Sequence, residues 1–163
     1  MTNVQLLADT YEMAHGLVKY YNSQLKEIDP YQEWEVNGQK LNSVIWINAH
    51  LCWSEHLLVL QALGIKAEVA DWLNHYRLGS DGTFHDTSIS LKQVLDERKK
   101  IHQSAMEAIR ALSDEALNED NALGMQFGDK KSKLVMLQHA IRHEATHAGH
   151  LGWLCKLNGI NTI

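Results

Sequence analysis

The fold is decided by the stretch from Ser132 to Leu157, which reads SKLVMLQHAIRHEATHAGHLGWLCKL. It contains no proline, it opens with a serine that can cap a helix, and Asn158-Gly159 supplies a stop directly after it. Apolar residues recur along it at helical spacing. The stretch therefore predicts one long helix, the last of the chain.

The histidines of this helix lie along one side of it. At about 100° of rotation per residue, an arc of roughly 80° contains His139, His143, His147 and His150. The same arc holds the apolar residues Met136, Ala140, Leu154 and Leu157. Glu144 lies to the side of this histidine stripe. We therefore expect the stripe to face the core.

Three further helices precede this one. The chain has one proline and ten glycines in 163 residues, which favours long helices over many short strands. Helical periodicity marks about Asn3 to Lys26, Asn42 or Ser43 to Ala62, and Ser88 or Ser90 to Leu112. Four such helices predict a single all-α domain over residues 1–163, a four-helix bundle. The long connections, above all from Ile65 to Ser88, predict that the helices do not simply alternate up and down.

Polar residues also fall on the inward faces of the second and third helices. The helical projection places His50 among apolar residues of the second helix, whereas Glu55 and His56 turn away. In the third helix Arg98 and His102 project inward. A buried imidazole costs free energy unless each ring nitrogen finds a partner.

A divalent cation offers such a partner, because neutral imidazole is a good ligand for zinc, nickel or iron. His143 and His147 stand at i and i+4, which brings both rings to one ion, and His50 from a facing helix completes a three-nitrogen site. Three protein ligands leave a coordination position open for water or substrate, as in catalytic zinc sites.

Other polar residues have simpler interpretations. An isolated inward histidine such as His102 is more often a hydrogen-bonded core residue than a ligand. Arg98 is either an anchor for an anionic substrate or the partner of a carboxylate within the bundle. Surface or flanking positions without a role are predicted for His15, His56, His75 and His85.

The segment from His143 to His147 also matches H-E-x-x-H, the metalloprotease signature. A zincin of the glutamate type needs a further acidic ligand downstream, yet the chain has no Asp or Glu after His147. The metzincin pattern requires glycine where His150 stands. Glu144 projects about 100° away from the histidine axis and could at best border the site. The protease interpretation is therefore disfavoured.

In its motifs and element order the chain resembles the DinB/YfiT-like superfamily of metal-binding four-helix bundles. The resemblance rests on the second-helix histidine in Ile47-Asn48-Ala49-His50-Leu51 and on His143 through Leu151, which follow the family pattern H-x-x-x-H-x-G-Q-L. It implies that His50, His143 and His147 are the ligands of a zinc or nickel ion. It also implies a homodimer and, as a co-substrate, a low-molecular-weight thiol.

The sequence departs from that family pattern at His150, which replaces the usual glutamine. His150 is therefore a candidate fourth ligand or pocket residue, and the neighbouring Arg98, His102, His139 and Glu144 are further candidates for the pocket or for contacts with the ligands. Known members of the family include thiol-dependent transferases, isomerases and hydrolases.

The composition of the chain argues against a nucleic-acid-binding protein and against a membrane-spanning one. A net charge of -5 and a longest basic run of three residues, Arg98 to Lys100, argue against nucleic-acid binding. No apolar run approaches the roughly 20 residues that span a bilayer, and no leader is evident, so a cytoplasmic protein is expected. Two isolated cysteines agree with a reducing compartment.

Three functions are consistent with these features. The first is a metal-dependent enzyme, of the thiol-dependent transferase or hydrolase type, that acts on a small molecule. The second is a non-catalytic protein that binds or sequesters a small molecule in the same metal pocket. The third is a structural bundle whose histidines only hydrogen-bond one another.

Overall fold

The computed structural model describes residues 1–80 and 86–162 and is mostly helical. Its four long helices are α1 (Asn3–Gln24), α2 (Val44–Glu55), α3 (Leu91–Arg110) and α4 (Lys133–Leu157). Each begins after a side-chain hydroxyl that accepts a backbone N–H bond from the first turn; these caps are Thr2, Ser43, Ser90 and Ser132. The four predicted helices are confirmed, and the ends of α1, α3 and α4 differ by a few residues from the predicted ones. The second helix is predicted to reach Ala62, but its α-helical part ends at Glu55. His85, for which a surface position is predicted, lies outside the described residues.

Not all consecutive helices of the chain are neighbours in the bundle. α1 packs mainly on α4 and also contacts α3, while α2 packs mainly on α3 and also contacts α4. Helices α1 and α2 therefore lie diagonally across the bundle, and so do α3 and α4. Consecutive helices of a simple up-and-down bundle are adjacent, so the prediction of a different order is confirmed.

Helix α2 is enclosed by the rest of the bundle, and all of its residues except Trp53 are buried. The burial extends to Glu55 and His56, which are only 2% and 6% exposed. The prediction that these two side chains turn away from the core is wrong. The α2 helix has no solvent face, because α3 and α4 pack against different sides of it.

The connections contain short elements that helical periodicity does not predict. Between α1 and α2, β1 (Trp34–Val36) pairs antiparallel with β2 (Gln39–Leu41). Asn37 and Gly38 link the strands with φ values of 52° and 76°, the conformation that Asn-Gly favours in a hairpin turn. After α2 the chain continues as a π-helical segment (His56–Gln61) and later forms a 3₁₀ helix (Asp71–Tyr76).

One glycine of α4 lies directly against a side chain of α1. A Cβ atom placed on Gly152 would lie 3.0 Å from Cζ of Tyr21. A larger residue there would require the Tyr21 ring to shift by a few tenths of an ångström. Within the described residues, no helix combines the length and the apolarity needed to cross a membrane.

Candidate metal centre

Three histidine rings from two helices meet inside the bundle. His50 comes from α2, and His143 and His147 come from successive turns of α4. Each offers a ligand atom, and these atoms all lie within 4.8 Å of one another. Nε2 of His50 is 3.2 Å from Nε2 of His143. Two nitrogens that bind one tetrahedral zinc ion at about 2.1 Å lie about 3.4 Å apart, so the observed separation fits a shared ion.

A backbone carbonyl fixes the orientation of the His50 ring. Nδ1 of His50 lies 2.7 Å from the carbonyl oxygen of Tyr76, in the 3₁₀ helix. Because a carbonyl only accepts hydrogen bonds, Nδ1 carries the hydrogen, and Nε2 of the neutral ring keeps its lone pair. The Trp46 ring stacks on His50 with centroids 4.8 Å apart. The lone pair of His50 is therefore held towards His143, as metal-binding histidines require.

Burial keeps all three rings neutral. Burial, with a further contribution from the neighbouring imidazoles, lowers the pKa of His143 to about 4 and that of His147 to about 3. Burial also lowers the pKa of His50. A histidine binds a metal only in its neutral form, so these three side chains can accept a cation at neutral pH without first losing a proton.

The ends of the histidine stripe differ from its middle. His147 is buried and His143 is partly buried, but His150 is exposed. The prediction that the whole stripe faces the core is wrong at His150, because a solvent-open cleft borders that turn of α4. Nδ1 of His150 nevertheless lies 3.2 Å from Nδ1 of His147. His150 thus stands at the edge of the three-histidine cluster.

His139 marks the other edge. Its ring stacks on Phe127, with centroids 4.2 Å apart, and lies 6.1 Å from the ring of His143. The guanidinium of Arg142 donates to Nδ1 of His139 over 2.6 Å. With one ring nitrogen engaged and its ring 6.1 Å from that of His143, His139 borders the cluster and is not among its three ligand candidates.

A second buried cluster, the ion network, takes side chains from all four helices. Glu144 forms an ion pair with Arg98, and its Oε1 lies 3.1 Å from Nδ1 of His15. Nδ1 of His102 lies 2.7 Å from Glu55, and the rings of His15 and His102 stack at 3.5 Å. The inward positions predicted for Arg98 and His102 are confirmed, and so is the alternative in which Arg98 pairs with a carboxylate of the bundle.

The surface position predicted for His15 is wrong, since the residue is only 8% exposed. His15 follows the buried Tyr11 by four residues and precedes the buried Val18 by three. It therefore belongs to the apolar face of α1, and this spacing is a signal that the sequence carries.

The ion network fits a metal ion less well than the three-histidine cluster does. His15, Glu55 and His102 also offer ligand atoms within 4.8 Å of one another. However, the His15 and His102 rings are parallel to within 6°, so their in-plane lone pairs run side by side and do not converge. The Arg98 guanidinium also lies 3.2 Å from Nδ1 of His15, and its fixed charge repels a second cation. The network is best described as paired charges.

The charges within the ion network shift the pKa values of Glu144 and His102. Burial would raise the pKa of Glu144, but the charge of Arg98 and the hydrogen bond and charges of the neighbouring histidines together outweigh this effect and hold that pKa below its usual value. Burial would lower the pKa of His102, but hydrogen bonds and charges from Glu55 and Glu12 raise it. Glu144 is therefore ionised and turned towards Arg98 and His15, away from the three-histidine cluster. This placement agrees with the sequence argument against a zincin, whose glutamate must act as a base at the metal.

A pH dependence of stability follows from His102. A histidine whose pKa is raised on folding stabilises the fold fully below its unfolded pKa of about 6.5, and this contribution is lost as the pH rises through the folded pKa. The groups around it are Tyr11, Glu12 and His15 of α1, Glu55 of α2, Arg98 of α3 and Glu144 of α4. We expect the difference in unfolding free energy between wild type and His102→Gln, measured by urea denaturation, to shrink from pH 6 to pH 8.5.

The control for this measurement is Gln103→Ala, at an exposed position next to His102 on α3. Because glutamine does not titrate, its difference from wild type should change little with pH. A His102→Gln difference that stays constant or grows with pH would contradict a protonated His102.

The model of the DinB superfamily matches residues 9–151, a range that includes His50, His143 and His147. No curated protein sequence matches the chain.

Proposed function

The chain belongs to the DinB superfamily, and we propose that it is a metal-dependent enzyme that acts on a small molecule at the three-histidine cluster. His50, His143 and His147 are the proposed ligands, and zinc or nickel is the proposed ion. The observation that carries the proposal is the 3.2 Å approach of two neutral imidazole nitrogens from different helices. Burying these two ring nitrogens costs free energy unless they are partnered, and one shared cation would partner both.

A divalent ion held by three protein nitrogens supplies a Lewis acid with an open position, which brings the pKa of a bound water to about 7 or holds a thiol as thiolate. The proposed reaction is accordingly of the thiol-dependent transferase or hydrolase type. Both types need a group that accepts a proton from the nucleophile.

Two residues beside the cluster are suited to handling protons and polar groups. The hydroxyl of Ser54, which is 3% exposed, lies 3.4 Å from Nε2 of His50 and can donate to a polar group bound there. His150 is exposed next to His147, and its imidazole can accept a proton from a small molecule. Glu144 cannot take this part, because Arg98 and His15 occupy its carboxylate.

Metal analysis of the purified, reconstituted protein tests the ligand set. We expect about one equivalent of zinc or nickel per chain in the wild type and a large loss in His143→Ala, since one of three ligands is removed. His75→Ala, at an exposed histidine, should keep the full equivalent. Less than about half an equivalent in the wild type, or undiminished binding in His143→Ala, would refute the site.

Turnover separates the proposed enzyme from the alternative of a sequestering protein. The assay uses low-molecular-weight thiols with electrophiles, and also amides and esters. Metal-dependent turnover that is lost in His143→Ala supports an enzyme. A metal-loaded protein that retains a ligand tightly but turns over none of these compounds supports sequestration in the same pocket.

A further inference from the structure

An apolar cleft opens beside the three-histidine cluster. It has a volume of about 460 Å³ and lies between the β1–β2 hairpin, the start of α2 and the last turns of α4. Most of its lining is apolar and comes from Val36, Leu41, Ile47, Trp153, Leu154 and Leu157. This volume is in the range of pockets that bind small molecules.

Two residues that line the cleft are close to residues of the cluster. His150 lines it, and Nδ1 of that ring lies 3.2 Å from Nδ1 of His147. Ile47 lines it from α2, one helical turn before His50. The three proposed ligands do not themselves line the cleft, so His150 stands between the cleft and the cluster. A molecule whose head reaches past His150 to the three histidines would place its tail in the cleft.

The cleft leaves apolar surface uncovered. Trp153 is 63% exposed and Val36 is 42% exposed, which costs free energy in water unless a ligand covers them. Lys40 also borders the cleft, but its ammonium lies 3.0 Å from the carboxylate of Glu33. The charge of Lys40 is thus already paired, and the ammonium of Lys156 lies 5.5 Å from the centre of the Trp153 ring. The mostly apolar lining therefore favours an alkyl or aryl group.

We infer that this cleft binds the apolar tail of the substrate, whose polar head lies at the three histidines. The inference rests on the proposed function and narrows its substrate class to small amphiphiles, in which a head that can bind a divalent cation carries an alkyl or aryl tail. Trp153 and Val36 are then specificity-determining residues.

Binding of n-alkyl hydroxamates to the zinc-loaded protein, measured by calorimetry, tests this inference. The hydroxamate head binds zinc, and the chain is lengthened from two to eight carbons. We expect the wild-type affinity to rise about fourfold for each added methylene until the cleft is filled, since a buried methylene contributes about 0.8 kcal/mol. Trp153→Ser and Val36→Ser should flatten this dependence and leave the affinity of the two-carbon compound unchanged. Met13→Ser removes an apolar side chain that is 76% exposed, on α1, and should behave as wild type.

The outcomes separate this inference from the proposed function. If hydroxamates bind but the chain-length dependence is equal in wild type and Trp153→Ser, the cleft is not the tail site, although the metal site stands. If no hydroxamate binds but metal-free protein binds 1-octanol in a Trp153-dependent manner, the proposed function fails and the link between cleft and metal is overturned. If neither the hydroxamates nor 1-octanol bind, both the proposed function and the inference about the cleft fail. A Trp153→Ser variant that only loses self-association in sedimentation, with unchanged octyl affinity, would assign the cleft to a second copy of the chain.

Discussion

Arg98→Leu is expected to lower the free energy of unfolding by about 3–5 kcal/mol, because it leaves a buried carboxylate without its charge partner. Arg98 is 2% exposed and Glu144 is 1% exposed, and the two form an ion pair within the core. The guanidinium also donates to Oδ1 of Asn48, so the change leaves a further buried acceptor with fewer donors. Urea denaturation followed by circular dichroism measures the effect.

A double-mutant cycle shows whether the lost pairing is the cause. Glu144→Leu added to Arg98→Leu removes the orphaned charge, and the double variant should recover much of the loss, since an apolar pair often replaces a buried ion pair at little cost. Arg110→Leu is the matched control on the same helix. Its guanidinium pairs with Glu12 at the surface, with both side chains about half exposed, so it should cost no more than about 1 kcal/mol. A loss as small as this for Arg98→Leu would contradict a structural ion pair.

The sequence predicts the three-histidine cluster because the spacing of residues within single helices is enough to place these side chains. The i, i+4 spacing of His143 and His147 fixes their common direction on any α-helix, and the apolar residues around them fix the side that faces inward. His50 follows from the same argument on α2. The four helix starts follow from capping residues that stand in the sequence, as at Ser43 and Ser132.

The features that the sequence does not predict depend on contacts between distant segments of the chain. Glu55 is buried because His102 of α3 lies opposite it, and no pattern within α2 reveals that partner. The group that orients His50 is the backbone carbonyl of Tyr76, and a carbonyl has no sequence signature. The β1–β2 hairpin differs from these, because Asn37-Gly38 is a recognised turn signal that helical periodicity alone does not reveal.

The ion network and the three-histidine cluster share α4 but use different sides of it. Glu144 points to α1 and α3, whereas His143 and His147 point to α2. Arg98 thereby holds the residue next to His143 in place. Glu144 thus anchors the turn of α4 that carries both proposed ligands, which explains why an apparent protease glutamate stands within the motif.

Removal of the metal is expected to lower the melting temperature of the protein by about 8–16 °C. A ligand that binds only the folded state at a thousand times its dissociation constant stabilises it by about 4.1 kcal/mol, and each kcal/mol corresponds to about 2–4 °C for a domain of this size. Here the ion would link α2 to α4, two helices whose direct packing is less extensive than that of α1 on α4. Calorimetric melting with zinc and with excess chelator measures the difference.

His143→Ala supplies the decisive comparison, because it removes a proposed ligand that is only partly buried and so leaves most of the core packing intact. Its melting temperature should be the same with zinc and with chelator, and close to that of the chelated wild type. His75→Ala should keep the full wild-type response. The opposite result, a wild-type melting temperature indifferent to chelator, would mean that the histidines of α2 and α4 only hydrogen-bond one another. The 3.2 Å contact between His50 and His143 would then be an N–H···N bond within the core and not half of a metal site.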